Sequence, residues 1–188
     1  EIRIGKVRLK RPTISIERDR DGIFNFEKPG QASVTLPALD LARVSFEDGI
    51  LRYAVQLSEA EFEAVGCNLN ARRLRLAEGK SSDLLKHLSF TAELACGEIR
   101  AKDFAVSDMK FSVAGKHGVF ELKPVTTRIF GGQGSGDIRA DFSGTVPLYH
   151  VHYSLSQFRI EEFFQVLSPQ KFAEGPMDFS ANLSMQGK

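Results

Sequence analysis

Alternation of apolar and polar side chains is the feature that most constrains what this chain can fold into. Near the C-terminus, the stretch PMDFSANLSMQGK places apolar residues at every second position, with Asp, Ser or Asn between them. A period of two is typical of a strand with one buried and one solvated face, because successive side chains point to opposite sides. Shorter runs of the same pattern occur at residues 14–16, 23–26, 88–94, 109–113, 138–142 and 151–155.

Turn signals separate these runs at the spacing that antiparallel strands need. They are Asp21-Gly22, Asp48-Gly49, Cys96-Gly97, His117-Gly118, Ser143-Gly144 and Pro147. We therefore predict a mainly β fold, an antiparallel, twisted meander curled into a sandwich-like structure or an open groove. Residue spacing also predicts two or three short helices, at 58–65, 81–88 and 160–167, and a polar-faced strand competes with the first of them.

Composition narrows the class of protein. The chain has 188 residues, 42% of them hydrophobic, which is enough for a real core in one domain or two small ones. Its 25 basic and 24 acidic side chains are scattered, so we predict no nucleic-acid partner. No apolar run approaches the ~18 to 20 residues that cross a bilayer.

We expect one β-rich region over residues 1–188, with a candidate seam near 77–82. Because the chain begins with Glu1 and not Met, we also expect that it is cut from a longer protein.

The two cysteines, Cys67 and Cys96, are too few for a disulfide scaffold and lack the Cys-x-x-Cys spacing of zinc and redox sites. Both fall in alternating segments. We favour the interpretation that they are small buried hydrophobic residues. The alternative is a single disulfide across neighbouring strands, which would need an oxidising compartment.

A glycine-rich stretch, IFGGQGSGDI at residues 129–138, invites comparison with a phosphate-binding loop. The Gly-x-Gly-x-x-Gly spacing of a dinucleotide site is absent, and no Gly-Lys-Ser/Thr follows. The next residues continue as a strand, whereas a phosphate loop opens a helix. We interpret the stretch as a hairpin or bulge in which glycine supplies positive φ angles.

Other patterns that imitate reactive sites each lack an essential part. Residues 17–22 imitate the start of a calcium loop, but Lys28 stands at the twelfth position, where a bidentate Glu is required. His150 and His152 share a strand face, and the nearby sequence offers no third metal ligand. No hydrolase motif is present. We predict no catalytic residue, no metal and no cofactor, and hence a protein that is not an enzyme.

The surplus of apolar strand faces needs a cover, from a second sheet, from helices or from a ligand. The short helices are small for this task. The sheet therefore folds into a sandwich with an ordinary core, or it curls into a trough whose apolar lining suits acyl chains.

An ordered set of these turns and strands resembles the C-terminal region of the AsmA family. The matching segments are LLKHLSF at 84–90, GEIRAKDF at 97–104, GVFELKP at 118–124, IFGGQGSG at 129–136 and the closing strand between Gly175 and Gly187. Residues 14–26 and 41–51 are more loosely similar to the strands that precede this region, with Phe26 where Trp is commoner. Each motif is only a turn and a strand, so the order of the set carries the resemblance.

The resemblance implies a bacterial envelope protein that an N-terminal helix holds in the inner membrane, with the remainder in the periplasm. It implies a non-enzymatic role, in which a β-groove shields the acyl chains of phospholipid and contributes to lipid transport and outer-membrane biogenesis. An alternative hypothesis is an assembly factor that meets outer-membrane proteins through exposed strand edges. The expected partners are thus phospholipid or another acyl-chain ligand, or outer-membrane proteins. From the cleaner apolar faces we predict lipid-facing side chains at Phe142, Val151, Tyr153, Leu155, Phe179, Leu183 and Met185.

Overall fold

The structure, a computed structural model, describes residues 2–21, 23–25, 35–56, 60–80, 83–102, 104–167 and 173–187. Two short helices, α1 (Leu84–His87) and α2 (Ile160–Leu167), interrupt a long series of strands. In chain order the strands are β1 (Ile2–Lys10), β2 (Thr13–Arg18), β3 (Thr35–Leu36), β4 (Leu39–Val55), β5 (Ala60–Leu76), β6 (Gly79–Lys80), β7 (Leu88–Arg100), β8 (Ala105–Lys116), β9 (Val119–Ile129), β10 (Gly132–Asp141), β11 (Leu148–Arg159) and β12 (Pro176–Gln186).

Most of these strands join one large sheet. Within the described residues it has ten strands in the order β1-β4-β5-β7-β8-β9-β10-β11-β12, with β2 also paired to β4. β3 and β6 form a separate two-stranded ribbon. The sheet is mostly antiparallel and is not closed into a barrel. The predicted mainly β meander is confirmed, and its described strands form one open layer where a sandwich would have two.

The first two strands depart from the predicted antiparallel order. β1 and β2 lie end to end along β4, and both run parallel to it. Between them, the Arg11 backbone N–H donates to the Glu47 carbonyl, and the Ile50 N–H donates to the Pro12 carbonyl. The antiparallel prediction is therefore wrong for this edge, because the period of two shows only which face a residue occupies and is the same for both pairing directions.

Bulges occupy some of the sites where turns were predicted. Asp48-Gly49 lies inside β4, where Asp48 has a φ of 54° and the register with β5 shifts. Cys96-Gly97 lies inside β7, whose register with β5 and β8 does not shift there. It lies beside a bulge at Gly66 of β5, which has a φ of 63° and falls where the register of β5 with β4 shifts. A bulge adds a residue and a bend without ending the strand, so these long strands continue while the sheet twists. Further register shifts accompany positive φ angles at Asp108 in β8 and Gln157 in β11.

The helix predictions are confirmed in part. α2 spans the predicted residues, whereas α1 is a single turn. Residues 60–65 belong to β5, so the competing strand interpretation is the correct one there; residues 58, 59, 81 and 82 lie outside the described residues. The predicted strand at 23–26 is not formed over its described part, where Phe24 makes an isolated bridge to Arg18. Gly22 and Phe26 lie outside the described residues.

The buried core is thin for a chain of this size. Phe46, Ala64, Cys67 and Cys96 form its most buried cluster. The chain exposes 12237 Å², whereas a compact monomer of the same mass would expose roughly 9,000 Å². An open single layer accounts for the excess, because both of its faces remain partly at the surface.

Candidate functional site, an apolar trough

One side of the ten-stranded sheet is apolar from edge to edge. Residues directly opposite each other in neighbouring strands lie on the same face, so a row can be followed from strand to strand. We call this side the apolar face. One of its rows runs from β1 to β12 through Leu9, Phe46, Leu69, Leu94, Phe111, Val125, Gly136, Tyr153 and Ala181.

The residues predicted to face lipid come together on the apolar face at the C-terminal end of the sheet. Phe142, which follows β10, meets Tyr149 of β11 edge-on, with ring centroids 5.8 Å apart. Their contact with lipid stays a prediction. The register of β11 with β12 pairs Tyr149 with Met185, Val151 with Leu183, Tyr153 with Ala181 and Leu155 with Phe179.

Exposure on the apolar face rises from the centre to the edges. Leu155 in β11 is 7% exposed, whereas Phe179, Leu183 and Met185 of the edge strand β12 are 48%, 51% and 49% exposed. No lipid-facing residue was predicted at the opposite edge of the sheet, which β1 and β2 form. The alternation at residues 2–4 is the signal that indicates an apolar face there. There the large apolar side chains are 36% to 48% exposed, at Ile2, Ile4, Leu9 and Ile16.

The glycine-rich stretch makes a flat lane on the apolar face. Phe130-Gly131 is a two-residue turn with positive φ at both positions, so the predicted hairpin is confirmed. The role expected of positive φ is wrong for the alternating glycines of β10, because these glycines make room for close neighbours in β11. The neighbours are backbone atoms of His152 at Gly136, the Ser156 carbonyl and Phe158 at Gly132, and the Tyr153 hydroxyl at Gly134. A Cβ atom on Gly134 would collide with the Tyr153 hydroxyl. The alternating glycines are Gly132, Gly134 and Gly136.

Tyr153 lies across this lane with its hydroxyl hydrogen-bonded to the hydroxyl of Thr127 in β9. Because the row through Tyr153 is otherwise apolar, the bond satisfies two hydroxyl groups that would be costly to bury alone. Because β10 has glycine at these positions, the Tyr153 ring and its hydrogen bond to Thr127 lie flat against the sheet. Larger side chains there would push the ring outwards.

Aromatic side chains mark both ends of the apolar face. At one end, Phe163 of α2 meets Phe130 and Phe158, with centroids 5.7 Å and 6.1 Å apart. This contact helps to bury Phe158, which is 3% exposed. At the other end, ring contacts of 5.8 to 6.1 Å join a series of four aromatic residues, Phe90, Phe120, Phe142 and Tyr149. Phe90 in β7 reaches Phe120 in β9 across Gly115 of β8.

The sheet is bent by bulges in β4, β8 and β11, where the register shifts and positive φ angles occur. Burial raises the pKa of the Tyr149 hydroxyl in β11, so this side chain is partly withdrawn from water on the apolar face. We call the apolar side of this bent, twisted sheet the trough.

Cys67 and Cys96 form a disulfide on the trough floor. β5 and β7 place them opposite each other next to the pair Asn68–Ala95, and their sulfur atoms are 2.09 Å apart. They are 0% and 3% exposed. The favoured interpretation of unbonded cysteines is wrong and the cross-strand alternative is correct, because the sheet register brings together two residues that are distant in sequence.

The opposite face of the sheet is polar and charged. Exposed ion pairs join its strands, such as Arg8 with Glu47 at 2.7 Å and Arg52 with Glu63 at 2.8 Å. Pairs of this kind contribute at most about 1 kcal/mol each. A hollow of about 940 Å³ is lined by charged and by apolar residues together, among them Arg43, Glu93, Lys110, Phe46, Leu69 and Phe111.

The histidines and the calcium-like stretch have local partners. His150 Nδ1 lies 3.0 Å from Ser184 Oγ, and His152 Nδ1 lies 3.4 Å from an Asp137 oxygen. The Asp19 carboxylate accepts hydrogen bonds from nearby backbone N–H groups. Across the part of the chain that the structure describes, no three His, Cys, Asp or Glu side chains gather as a metal site would require. The helices of that part include none long and apolar enough to cross a membrane.

Comparison with protein families gives a match of residues 31–188 to the AsmA family. Searches of curated proteins and of solved structures gave no significant match. The matched residues contain strands β3 to β12 and both helices, and therefore most of the trough. The resemblance carried by the ordered turns and strands is confirmed. This chain belongs to the AsmA family, whose members are envelope-associated.

Proposed function

We propose that this chain is a non-enzymatic, periplasmic module of an inner-membrane-anchored envelope protein. In this proposal its trough shields lipid acyl chains from water and contributes to phospholipid transport and outer-membrane biogenesis. Head groups stay in water at the mouth of the trough while the chains lie on the apolar face. Each CH₂ group removed from water contributes roughly 0.8 kcal/mol, so ordinary transfer energy is enough to hold an acyl chain.

The observation that carries the proposal is the exposed apolar side of β12. Phe179, Leu183 and Met185 are about half exposed, and they continue a face whose centre is buried. Contiguous apolar surface of this kind marks binding sites for lipids or proteins. An acyl chain laid along β12 would cover these side chains and would meet the buried interior of the trough without crossing a polar strip.

The disulfide supports the proposed compartment. Cys67 and Cys96 are bonded, and disulfides persist in oxidising compartments such as the bacterial periplasm. A reducing cytosol would leave this pair as thiols on the trough floor.

Lipid capture by protein purified without detergent tests the proposal. We expect lipid to co-purify in native mass spectrometry, and a fluorescent fatty acid to bind. Phe179→Asp and Leu183→Asp should each weaken fatty-acid binding at least ~10-fold, because a carboxylate on an apolar contact must be desolvated. Ser180→Asp and Asn182→Asp add the same charge to the other face of β12 and serve as matched controls. Absence of bound lipid, together with probe affinities equal in all five proteins, would sink the proposal.

A strand-edge function is the second candidate, and one observation favours it. Within the described sheet β12 pairs only with β11, so the backbone groups along its other edge are open to another strand. A lipid-free chain that captures unfolded outer-membrane proteins and ignores the fatty-acid probe would favour this assembly function. Capture of the probe alone would favour the trough.

A further inference from the structure

Basic side chains gather where β1, β4 and β5 run side by side. The register joins residues 2–10 of β1 to residues 39–47 of β4, and these in turn to residues 69–76 of β5. Four basic residues of β1, one of β4 and three of β5 meet there with two carboxylates, although the whole chain has a net charge of only +1. Charges that are scattered along the sequence thus form one strongly positive surface. We call the Lys and Arg residues of these three segments the basic patch.

Three members of the basic patch form a ladder across the strands. Lys6 of β1 is directly opposite Arg43 of β4, which is directly opposite Arg72 of β5. All three residues are exposed. They lie on the polar face, because Val44, which follows Arg43, shares the apolar face with Phe46. Like charges directly opposite each other destabilise a sheet, so this ladder needs a physical reason.

The two carboxylates among these segments already have other partners. Asp40 lies 3.3 Å from Arg75, and Glu47 lies 2.7 Å from Arg8. Within the described residues, no carboxylate is at ion-pair distance from any of the three ladder residues. An anion from outside the chain would relieve the repulsion along the ladder, and three cations would attract it.

The edge strand β1 combines these cations with exposed apolar side chains. Ile2, Ile4 and Leu9 are 48%, 40% and 41% exposed. A membrane interface accommodates both kinds of side chain, because cations contact anionic head groups while apolar side chains reach the acyl boundary. A nucleic acid would use only the cations. The opposite edge strand β12 also exposes apolar side chains, but its one charged residue is Asp178, so the two edges of the sheet differ.

We propose that the basic patch docks the β1 edge of the sheet on a bilayer surface that contains anionic phospholipid. The ladder contacts the phosphate groups of several lipids, which stay in the bilayer surface and in water on the polar side of the sheet. The adjoining apolar face then lies next to a source of acyl chains. This interaction goes beyond the proposed shielding of acyl chains, because it concerns where the chain meets a membrane.

Vesicle flotation tests the basic patch. The probes are vesicles of dioleoylphosphatidylglycerol and dioleoylphosphatidylcholine in equal parts, and vesicles of dioleoylphosphatidylcholine alone. We expect the unaltered chain to bind the mixed vesicles far more tightly than the neutral ones, and added salt to weaken the binding. The triple variant Lys6→Gln/Arg43→Gln/Arg72→Gln should bind the mixed vesicles about 100-fold more weakly, at about 5-fold for each charge removed.

A second triple variant removes the same charge from the middle of the sheet. Lys110→Gln/Lys116→Gln/Lys123→Gln changes exposed lysines of β8 and β9 and should keep nearly the full affinity for the mixed vesicles. Equal losses in the two triple variants would show that net charge alone attracts the chain, and the basic patch would be refuted. The single variants Arg43→Gln and Lys123→Gln repeat the comparison if a triple variant does not fold.

The outcomes separate docking from shielding. The ladder variant should bind the fluorescent fatty acid as the unaltered chain does, because its substitutions lie outside the trough. A chain that binds the fatty acid and ignores both kinds of vesicle would refute docking while the proposed shielding stands. A chain that docks through the ladder and binds no fatty acid would refute shielding alone. Equal binding to mixed and neutral vesicles would refute the anionic surface. Displacement from the vesicles by soluble glycerol phosphate would identify a site for a single free anion and would also refute docking.

Discussion

β5 in the middle of the sheet and β12 at its edge carry the same alternating pattern, yet their apolar sides differ in exposure. In β5, Ala64, Cys67 and Ala71 are 7%, 0% and 3% exposed, whereas Phe179 and Leu183 of β12 are 48% and 51% exposed. β5 has a neighbour on each side and small side chains, while β12 has one neighbour and large side chains. The alternation thus assigns a face, and position in the curled sheet decides whether that face is core or binding surface.

Truncating one aromatic side chain in each region should separate them most clearly. Phe46→Ala removes a ring that is 3% exposed in the central cluster, and we expect the free energy of unfolding to fall by about 3–5 kcal/mol. Phe179→Ala removes a half-exposed ring, and we expect a loss below about 1 kcal/mol. Urea unfolding followed by circular dichroism measures both. Equal losses would show that β12 is covered as fully as the centre.

Removing the disulfide should weaken the centre and spare the edge. Cys67 and Cys96 are 29 residues apart in sequence, and a cross-link of that span stabilises a fold by about 3.6 kcal/mol. The double variant Cys67→Ala/Cys96→Ala should unfold at a lower urea concentration, and reductant should lower the midpoint of the unaltered chain alone. If reductant lowered the urea midpoint of the double variant as well, the effect would not come from the Cys67–Cys96 bond.

Filling the glycine lane should have a smaller effect. A methyl group on Gly134 would displace the Tyr153 hydroxyl and its bond to Thr127, and overpacking of this kind costs about 1–3 kcal/mol. We expect Gly134→Ala to lower the free energy of unfolding by this amount, and Tyr153→Phe in the same chain to recover part of it. Ser135→Ala, on the opposite face of β10, is the matched control. If Gly134 served only the turn at Phe130-Gly131, Tyr153→Phe would recover none of the lost stability.

Much of the candidate site was predictable, because the period of two is a local property of extended chain. It placed Val151, Leu155, Phe179 and Leu183 on one face, and helical spacing identified α2. The prediction failed at Asp48-Gly49, since an Asp-Gly pair with a positive φ angle is compatible with a turn and with a bulge. Only the pairing of β4 with β5 distinguishes them.

The sequence by itself determined which side chains share a face, where β11 and β12 run, and the ordered motifs that identify the AsmA family. These features depend on neighbours in the chain and are written in its local pattern. The tertiary structure alone decided the parallel edge of β1 and β2 and the bond between Cys67 and Cys96. Each of these joins residues that are distant in sequence, and strand register together with the accumulated twist of the sheet determines whether they meet.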